Sequence, residues 1–327
     1  MSVHLTFLGT SCSTPTKERN LSSVALGFRG EWFLFDTPEG IQQQLMRTHL
    51  SHFTLEHIFL SHYHADHTLG LPGIIATMTI HERKQPLYVW GPRGIETKLK
   101  QGIGYADFFP GFEVIPKEIE EGVLVDTETY TISAVKLNHS CLCYGFVFET
   151  KGKKGTFLRE KALKLKIPEG PLWGKLQKGE TISHAGKKYT PEMVMDYTQS
   201  KRGTKIGFVM DTFPHNHYVE FMQGSDVLIH EASFLESEKE RAWDVKHSTA
   251  KMAAEIAKKL GVKQLFLTHF SPRYPDGKDM LAEAKPIFKN TIAAHDLMKV
   301  ELEESYSNEK EKKTKNISKA KPKNKKK

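Results

Sequence analysis

The chain has 327 residues, 39% of them hydrophobic and 26% charged, which gives it a substantial core and room for one large domain or two. No apolar run approaches the roughly 20 residues that span a bilayer, and MSVHLTFLGTS at the N-terminus alternates like a strand without a basic leader, so neither a membrane span nor a signal peptide is expected. The net charge of +8 is concentrated in two places. From Lys310 to Lys327 there are ten lysines and one glutamate, and from Lys151 to Lys188 eleven Lys/Arg against three Glu; the remainder is acidic. Cationic footprints confined to two segments suit a polyanionic partner gripped by appendages.

In chain order, HLTFLG, SSVALGF and EWFLFDTP read as strands, the last two joined by the turn RGE. GIQQQLMRTH reads as a helix, HIFLS as a strand, and LGLPGIIATMTIH as a helix with an early Pro and Gly. PLYVWG is a further strand, followed by a helix near Ile95 to Gly102, and YTISAVKLNH and YGFVFET are strands flanking the turn SCLC. From Lys151 to Ser200 the pattern becomes rich in Lys, Gly and Pro, and only FLREKALKLK looks helical; Leu163, Leu165, Ile167 and Leu172 are interleaved among the lysines as in a small packed module. Strands return with KIGFVMD and DVLIHEASF. A helix follows with Ser248 or Thr249 as N-cap, an apolar face of Met252, Ala253, Ile256, Ala257 and Leu260, and Gly261 as its stop. QLFLTH is the last strand, and beyond about Glu301 no structure is expected. The expected organisation is a domain of residues 1–150 and 201–300, an inserted arm at 151–200, and a disordered Lys-rich tail at 301–327.

The stretch SHYHADH packs His62, His64, Asp66 and His67 behind the apolar run HIFL. A surface cluster and a metal site at a strand end are both open for such a run taken alone. Acidic or histidine residues also follow other strands: Asp36 after EWFLF, His139 after AVKLN, Asp211 after IGFVM and His269 after LFLT. Strands that run into one edge of a layered sheet bring such residues into one cleft. His62 and His64, two apart, point the same way from an extended segment, while Asp66 and His67 address a neighbouring point, which suits two adjacent cations. Imidazole and carboxylate without thiolate favour zinc or a similar divalent ion. Three cysteines (Cys12, Cys141, Cys143) are too few and odd for a disulfide framework and read as ordinary thiols of a reducing compartment.

SHYHADH with His139, Asp211 and His269 resembles the metallo-β-lactamase superfamily. PTKERN, GPLWGKLQKG, HEASF, HST and HFSPRY, in this order over about residues 4–275, narrow the resemblance to ribonuclease Z, the tRNA 3′-processing endonuclease, in its short form. The resemblance implies an α/β (α+β layered) fold, an αββα sandwich carrying an inserted flexible arm. It implies two Zn2+ ions per subunit, one held by His62, His64 and His139, the other by Asp66, His67 and His269, with Asp211 bridging. It also implies cleavage of precursor tRNA that leaves a 3′-hydroxyl on the tRNA and a 5′-phosphate on the trailer. Asp66 would accept a proton from the attacking water, and Glu231 with His247 would protonate the leaving oxygen. Asp36 either orients a ligand histidine or caps a turn. Lys17, Arg19 and Arg273 are expected near RNA phosphates, and Gly170-Pro171 as the rigid turn of an arm that grips the tRNA elbow. The resemblance further implies a homodimer. Cytoplasmic placement is expected, or nuclear in a eukaryote, and the lysine tail reads equally as extra RNA affinity or as a localisation signal. A small ester or thioester substrate is disfavoured by the basic arm, and a silent RNA-binding subunit by the presence of all seven candidate ligands.

Overall fold

The computed structural model describes residues 2–152, 155–200 and 202–303. They fall into two compact units, Met1–Thr150 with Thr204–Glu303, and Lys151–Gly203. Among the described residues no helix is long and apolar enough to cross a membrane.

The larger unit is built on two seven-stranded sheets. The first runs Lys299–Glu303, Ser2–Gly9, Ser23–Phe28, Glu31–Phe35, Leu55–Phe59, Leu87–Gly91, Val114–Glu118. The second runs Thr291–Ala293, Gln264–Thr268, Val227–Glu231, Lys205–Val209, Cys143–Thr150, Tyr130–Leu137, Gly122–Asp126. Each sheet is antiparallel on one side and parallel on the other. Alternate aromatic residues face inward and fuse the sheets: Phe35 stacks on Phe208 with centroids 4.1 Å apart, and Phe7 meets Phe266 at 5.4 Å. Burial of this kind is worth roughly 2–3 kcal/mol per aromatic side chain relative to exposure. The outer face of the first sheet is covered by helices Leu71–Ile80 and Ile95–Tyr105 through Ile74, Ile75, Met78 and Leu99. That of the second is covered by Ala250–Leu260 and Lys278–Ala284. Helix, sheet, sheet, helix is the αββα layering that the resemblance implied.

Thr249 rather than Ser248 caps Ala250–Leu260, accepting from the Met252 N–H, and Gly261 ends it at φ 66°. The strand Lys299–Glu303 corrects the expectation that order stops near Glu301: its alternation K-V-E-L-E pairs it antiparallel with Ser2–Gly9. The Lys-rich tail beyond it lies outside the described residues.

The smaller unit has its own core of Ala162, Ile167, Leu176, Ile182, Tyr189 and Val194, with Phe157 and Trp173 packed on it. Among its described residues there are two α-helices, Arg159–Lys164 and Pro171–Gln177, where only one was expected. Leu172 and Leu176, four apart, give the second helix its apolar face. Gly170-Pro171 is therefore a helix start rather than a turn. Pro171 occupies the first helical position, where a missing N–H costs nothing, and Gly170 at φ 125° supplies a conformation open only to glycine.

Candidate active site

The strand ends that carry the site are aligned by register. Phe35 pairs with Phe59 across parallel strands, placing Asp36 beside Leu60-Ser61-His62. Val209 pairs with His230, and Glu231 with Thr268, which brings Asp211, Glu231 and His269 to one edge of the second sheet. Asp36 and His269 take left-handed backbone at φ 61° and 60°, a conformation that Asp and His tolerate better than most residues. Asp36, His62, His67, Asp211, Glu231 and His269 are all buried.

Three nitrogens converge on one point: His62 Nε2 and His139 Nε2 lie 3.0 and 3.2 Å from His64 Nδ1. Two nitrogens bound tetrahedrally to one zinc stand about 3.3 Å apart, given Zn–N of about 2.0–2.1 Å. Asp211 Oδ2 is 3.6 Å from His62 Nε2 and 3.7 Å from His139 Nε2. Its other oxygen, Oδ1, faces a second point, 3.5 Å from His67 Nε2 and 3.1 Å from His269 Nε2, where Asp66 Oδ2 also stands 3.5 Å from His67 Nε2. One carboxylate thus presents an oxygen to each point.

The nitrogen that each of four rings turns away from these points is tied to the protein. His67 Nδ1 donates to Asp36 Oδ2 at 2.7 Å. Ser61 Oγ gives its proton to Asp36 Oδ2, so it receives one from His62 Nδ1 at 2.9 Å. Ser233 Oγ likewise donates to Glu231 Oε2 and receives from His269 Nδ1 at 2.9 Å. His139 Nδ1 donates to the Lys246 carbonyl at 3.2 Å. These bonds fix the tautomers so that the inward nitrogens carry lone pairs, the arrangement of metal-binding imidazoles. His67 Nε2, His269 Nε2 and Asp211 Oδ1 are buried without a hydrogen-bond partner. Orphaned buried acceptors of this kind fit a bound cation. Among the described residues, groups able to hold one include His62, His64 and His139 with Cys141; His62, His67 and Asp211; and Asp66, His67 and His269.

Beside the two points lies a proton-handling pair. His247 Nδ1 is 2.9 Å from Glu231 Oε1, and its Nε2 faces Asp211 Oδ2 at 3.9 Å. Glu231 Oε1 also accepts from the Thr212 and Ser248 N–H groups, and Oε2 from the Ser233 N–H. Burial disfavours the His247 imidazolium, but Glu231 outweighs it and raises its pKa to about 9. Burial likewise opposes ionisation of Glu231, and His247 reverses that and lowers its pKa. For Asp211, burial is outweighed by His269, His67 and His62, which hold it well below the usual carboxylate range.

The structure brings His62, His64, Asp66, His67, His139, Asp211, His269, Glu231 and His247 together. Asp36 takes the orienting position. Ser61 and Ser233 were missed by sequence reasoning, although both lie inside quoted motifs; a serine one residue before His62 and another two after Glu231 were the available signals. Arg19 departs from expectation. It is buried, donates to the Pro275 and Ala294 carbonyls and to Thr10 Oγ1, and covers the Phe270 ring, so it ties loops together with few donors left for RNA. Lys17 is exposed. Arg273 is exposed, 3.7 Å from Glu238 Oε1 and over the Phe234 ring. Gly170 and Pro171 belong to the smaller unit.

Fold and site together define a metal-dependent hydrolase of the β-lactamase superfamily, whose domain model matches residues 31–158. Ribonuclease Z of Methanosarcina acetivorans is 41% identical over 92% of this chain and 98% of that protein, and ribonuclease Z of Nitrosopumilus maritimus 40% over 91% and 99%. The crystal structure of human tRNase Z, short form, superposes with a TM-score of 0.65 at 25% identity, covering 91% of this chain and 98% of that one. The chain belongs to the ribonuclease Z family and is a metal-dependent nuclease.

Proposed function

We propose that this chain is a zinc-dependent endoribonuclease that removes the 3′ trailer from precursor tRNA, leaving a 3′-hydroxyl on the tRNA and a 5′-phosphate on the trailer. The observation that carries the reading is the double convergence on Asp211: three imidazole nitrogens face one carboxylate oxygen, and His67, His269 and Asp66 gather about the other. His62, His64 and His139 would hold one ion, Asp66, His67 and His269 the other, and Asp211 both. Divalent ions held by these residues would supply acidification of the attacking water and neutralisation of charge on the phosphodiester. An all-imidazole and carboxylate set of this size suits Zn2+.

Asp36, Ser61 and Ser233 orient the ligand rings. Asp66, whose Oδ2 accepts from the Ser13 N–H, would receive the proton of the attacking water. His247, kept cationic by Glu231, delivers a proton from Nε2 to the leaving ribose oxygen. The smaller unit, residues 151–203, would act as the tRNA-gripping arm: thirteen Lys/Arg against five Asp/Glu neutralise phosphates, while the core around Trp173 keeps the module shaped. Met46, Leu69, Ile80, Tyr105 and Phe109 are exposed on or beside the helices of the first sheet and support a homodimer formed through that layer. Three free thiols suit a reducing, cytoplasmic setting.

The test is cleavage of a precursor tRNA carrying a 3′ trailer by protein with measured metal content, alongside hydrolysis of bis-p-nitrophenyl phosphate. Activity on the diester without a defined cut in the precursor would sink the tRNA assignment and leave only the phosphodiesterase.

A further inference from the structure

The turn Ser140-Cys141-Leu142, between strands Tyr130–Leu137 and Cys143–Thr150, carries a sulfur that the proposed mechanism does not use. The two neighbouring thiols are placed differently. Cys143 is buried behind His62: its Sγ donates to the Asp211 carbonyl at 3.5 Å and lies 3.8 Å from His62 Nδ1, the nitrogen turned away from the site. Cys141 is half-buried. Its Sγ and the ligand nitrogens of His62, His64 and His139 all lie within 4.8 Å of one another. The orphaned buried acceptors His67 Nε2, His269 Nε2 and Asp211 Oδ1 face the neighbouring point, so Asp211 separates them from the cluster that Cys141 joins.

We infer that Cys141 supplies a thiolate ligand to the ion held by His62, His64 and His139, an inference that rests on the two-ion reading above. Three imidazoles leave a tetrahedral ion one position, which Asp211 Oδ2 approaches from the shared side. The Cys141 sulfur, within 4.8 Å of the same three nitrogens, would compete with that oxygen for the remaining position or add to it. Binding forms the metal–sulfur bond and breaks the S–H bond, and the proton goes to solvent. A softer ligand at only one of two positions makes the pair unequal: the His62 ion becomes the thiophilic one, favouring Zn2+, Co2+ or Cd2+ over Mn2+ and Mg2+. It also exposes the site to thiol oxidants, because the sulfur is half open to solvent.

The test uses the full chain loaded with two equivalents of Co2+. The inference expects a thiolate-to-cobalt charge-transfer band in the near ultraviolet, superimposed on the visible ligand-field bands of histidine-bound cobalt. Cys141→Ser should abolish the near-ultraviolet band and keep the visible ones, and should weaken Cd2+ binding about tenfold or more. Cys143→Ala should keep the charge-transfer band. Alkylation of Cys141 by iodoacetamide in the unsubstituted protein gives an independent readout: Zn2+ should protect Cys141 strongly. Visible bands without a charge-transfer band, or alkylation unaffected by Zn2+, overturn the thiolate and leave the histidine and carboxylate site standing. Failure to bind cobalt at all would overturn both.

Discussion

Glu231→Gln removes the charge beside the His247 proton donor and turns the new amide NH2 onto the Ser233 N–H. The charge that lifts His247 to about 9 from its ordinary 6.5 is removed, while the amide oxygen still accepts from Nδ1. At about pH 7.5 a group titrating at about 9 is about 97% protonated, against about 9% for one at the ordinary value. The variant should therefore lose roughly tenfold in precursor cleavage at about pH 7.5, little at about pH 6, and on the order of a hundredfold at about pH 9. Bound cations lower both values by their own charge, so the limbs move together to lower pH and the widening of the gap with pH remains. The same pair contributes to stability. His247 has the raised folded pKa, so about 3 kcal/mol of stabilisation is fully present below about pH 6.5 and is lost as pH rises through about 9. The assay is initial rate against pH on precursor tRNA and on bis-p-nitrophenyl phosphate, with bound metal quantified at each pH. The p-nitrophenolate leaving group needs no proton, so its defect should be flat with pH. A pH-independent defect, or equal profiles on both substrates, would refute the proton-donor role.

Asp211→Ala should abolish cleavage and lower bound metal well below two per chain, with the circular dichroism spectrum retained because the residue stands at the sheet edge. Replacing residues 151–203 by a short glycine bridge should raise KM for precursor tRNA far more than it lowers kcat, flatten the salt dependence of binding, and spare bis-p-nitrophenyl phosphate hydrolysis. The splice is geometrically simple, since the Thr150 N–H already donates to the Thr204 carbonyl at 2.9 Å. Unchanged precursor affinity in that deletion would mean the unit is not a tRNA-gripping arm. Leu69→Glu places a charge among the exposed apolar residues and should shift the mass measured by light scattering from dimer to monomer; an unchanged mass would remove that layer as the interface.

The parts of the account legible in the sequence were those with a strong local period. The inward strands HLTFLG, EWFLF and IGFVM announced themselves, and so did the helix between Thr249 and Gly261. The placement of Asp36, Asp211 and His269 after such strands was enough to predict one cleft. What stayed hidden depends on long-range pairing. Val114–Glu118 and Gly122–Asp126 are edge strands of opposite sheets, each with one neighbour, and VIPKE and GVLVD carry little apolar alternation between them. Arg19 looked like a phosphate ligand because an arginine in a polar loop usually is solvated; its burial follows from carbonyls at Pro275 and Ala294, far away in sequence. The tautomer of each histidine, and the serine hydroxyls that set it, depend on side-chain directions that spacing does not encode. Gly170-Pro171 was read locally as a turn, whereas the packing of Leu172 and Leu176 made it a helix start.

The most direct test of the central claim is end-group mapping of the products from one precursor tRNA, made with chelator-stripped protein before and after Zn2+ is restored. The stripped protein should not cleave. Reloaded, it should make a single cut at the trailer junction, with a 3′-hydroxyl on the tRNA and a 5′-phosphate on the trailer. Cleavage that survives metal removal, or products ending in a cyclic phosphate and a 5′-hydroxyl, would contradict a water attack organised by the two-point site around Asp211.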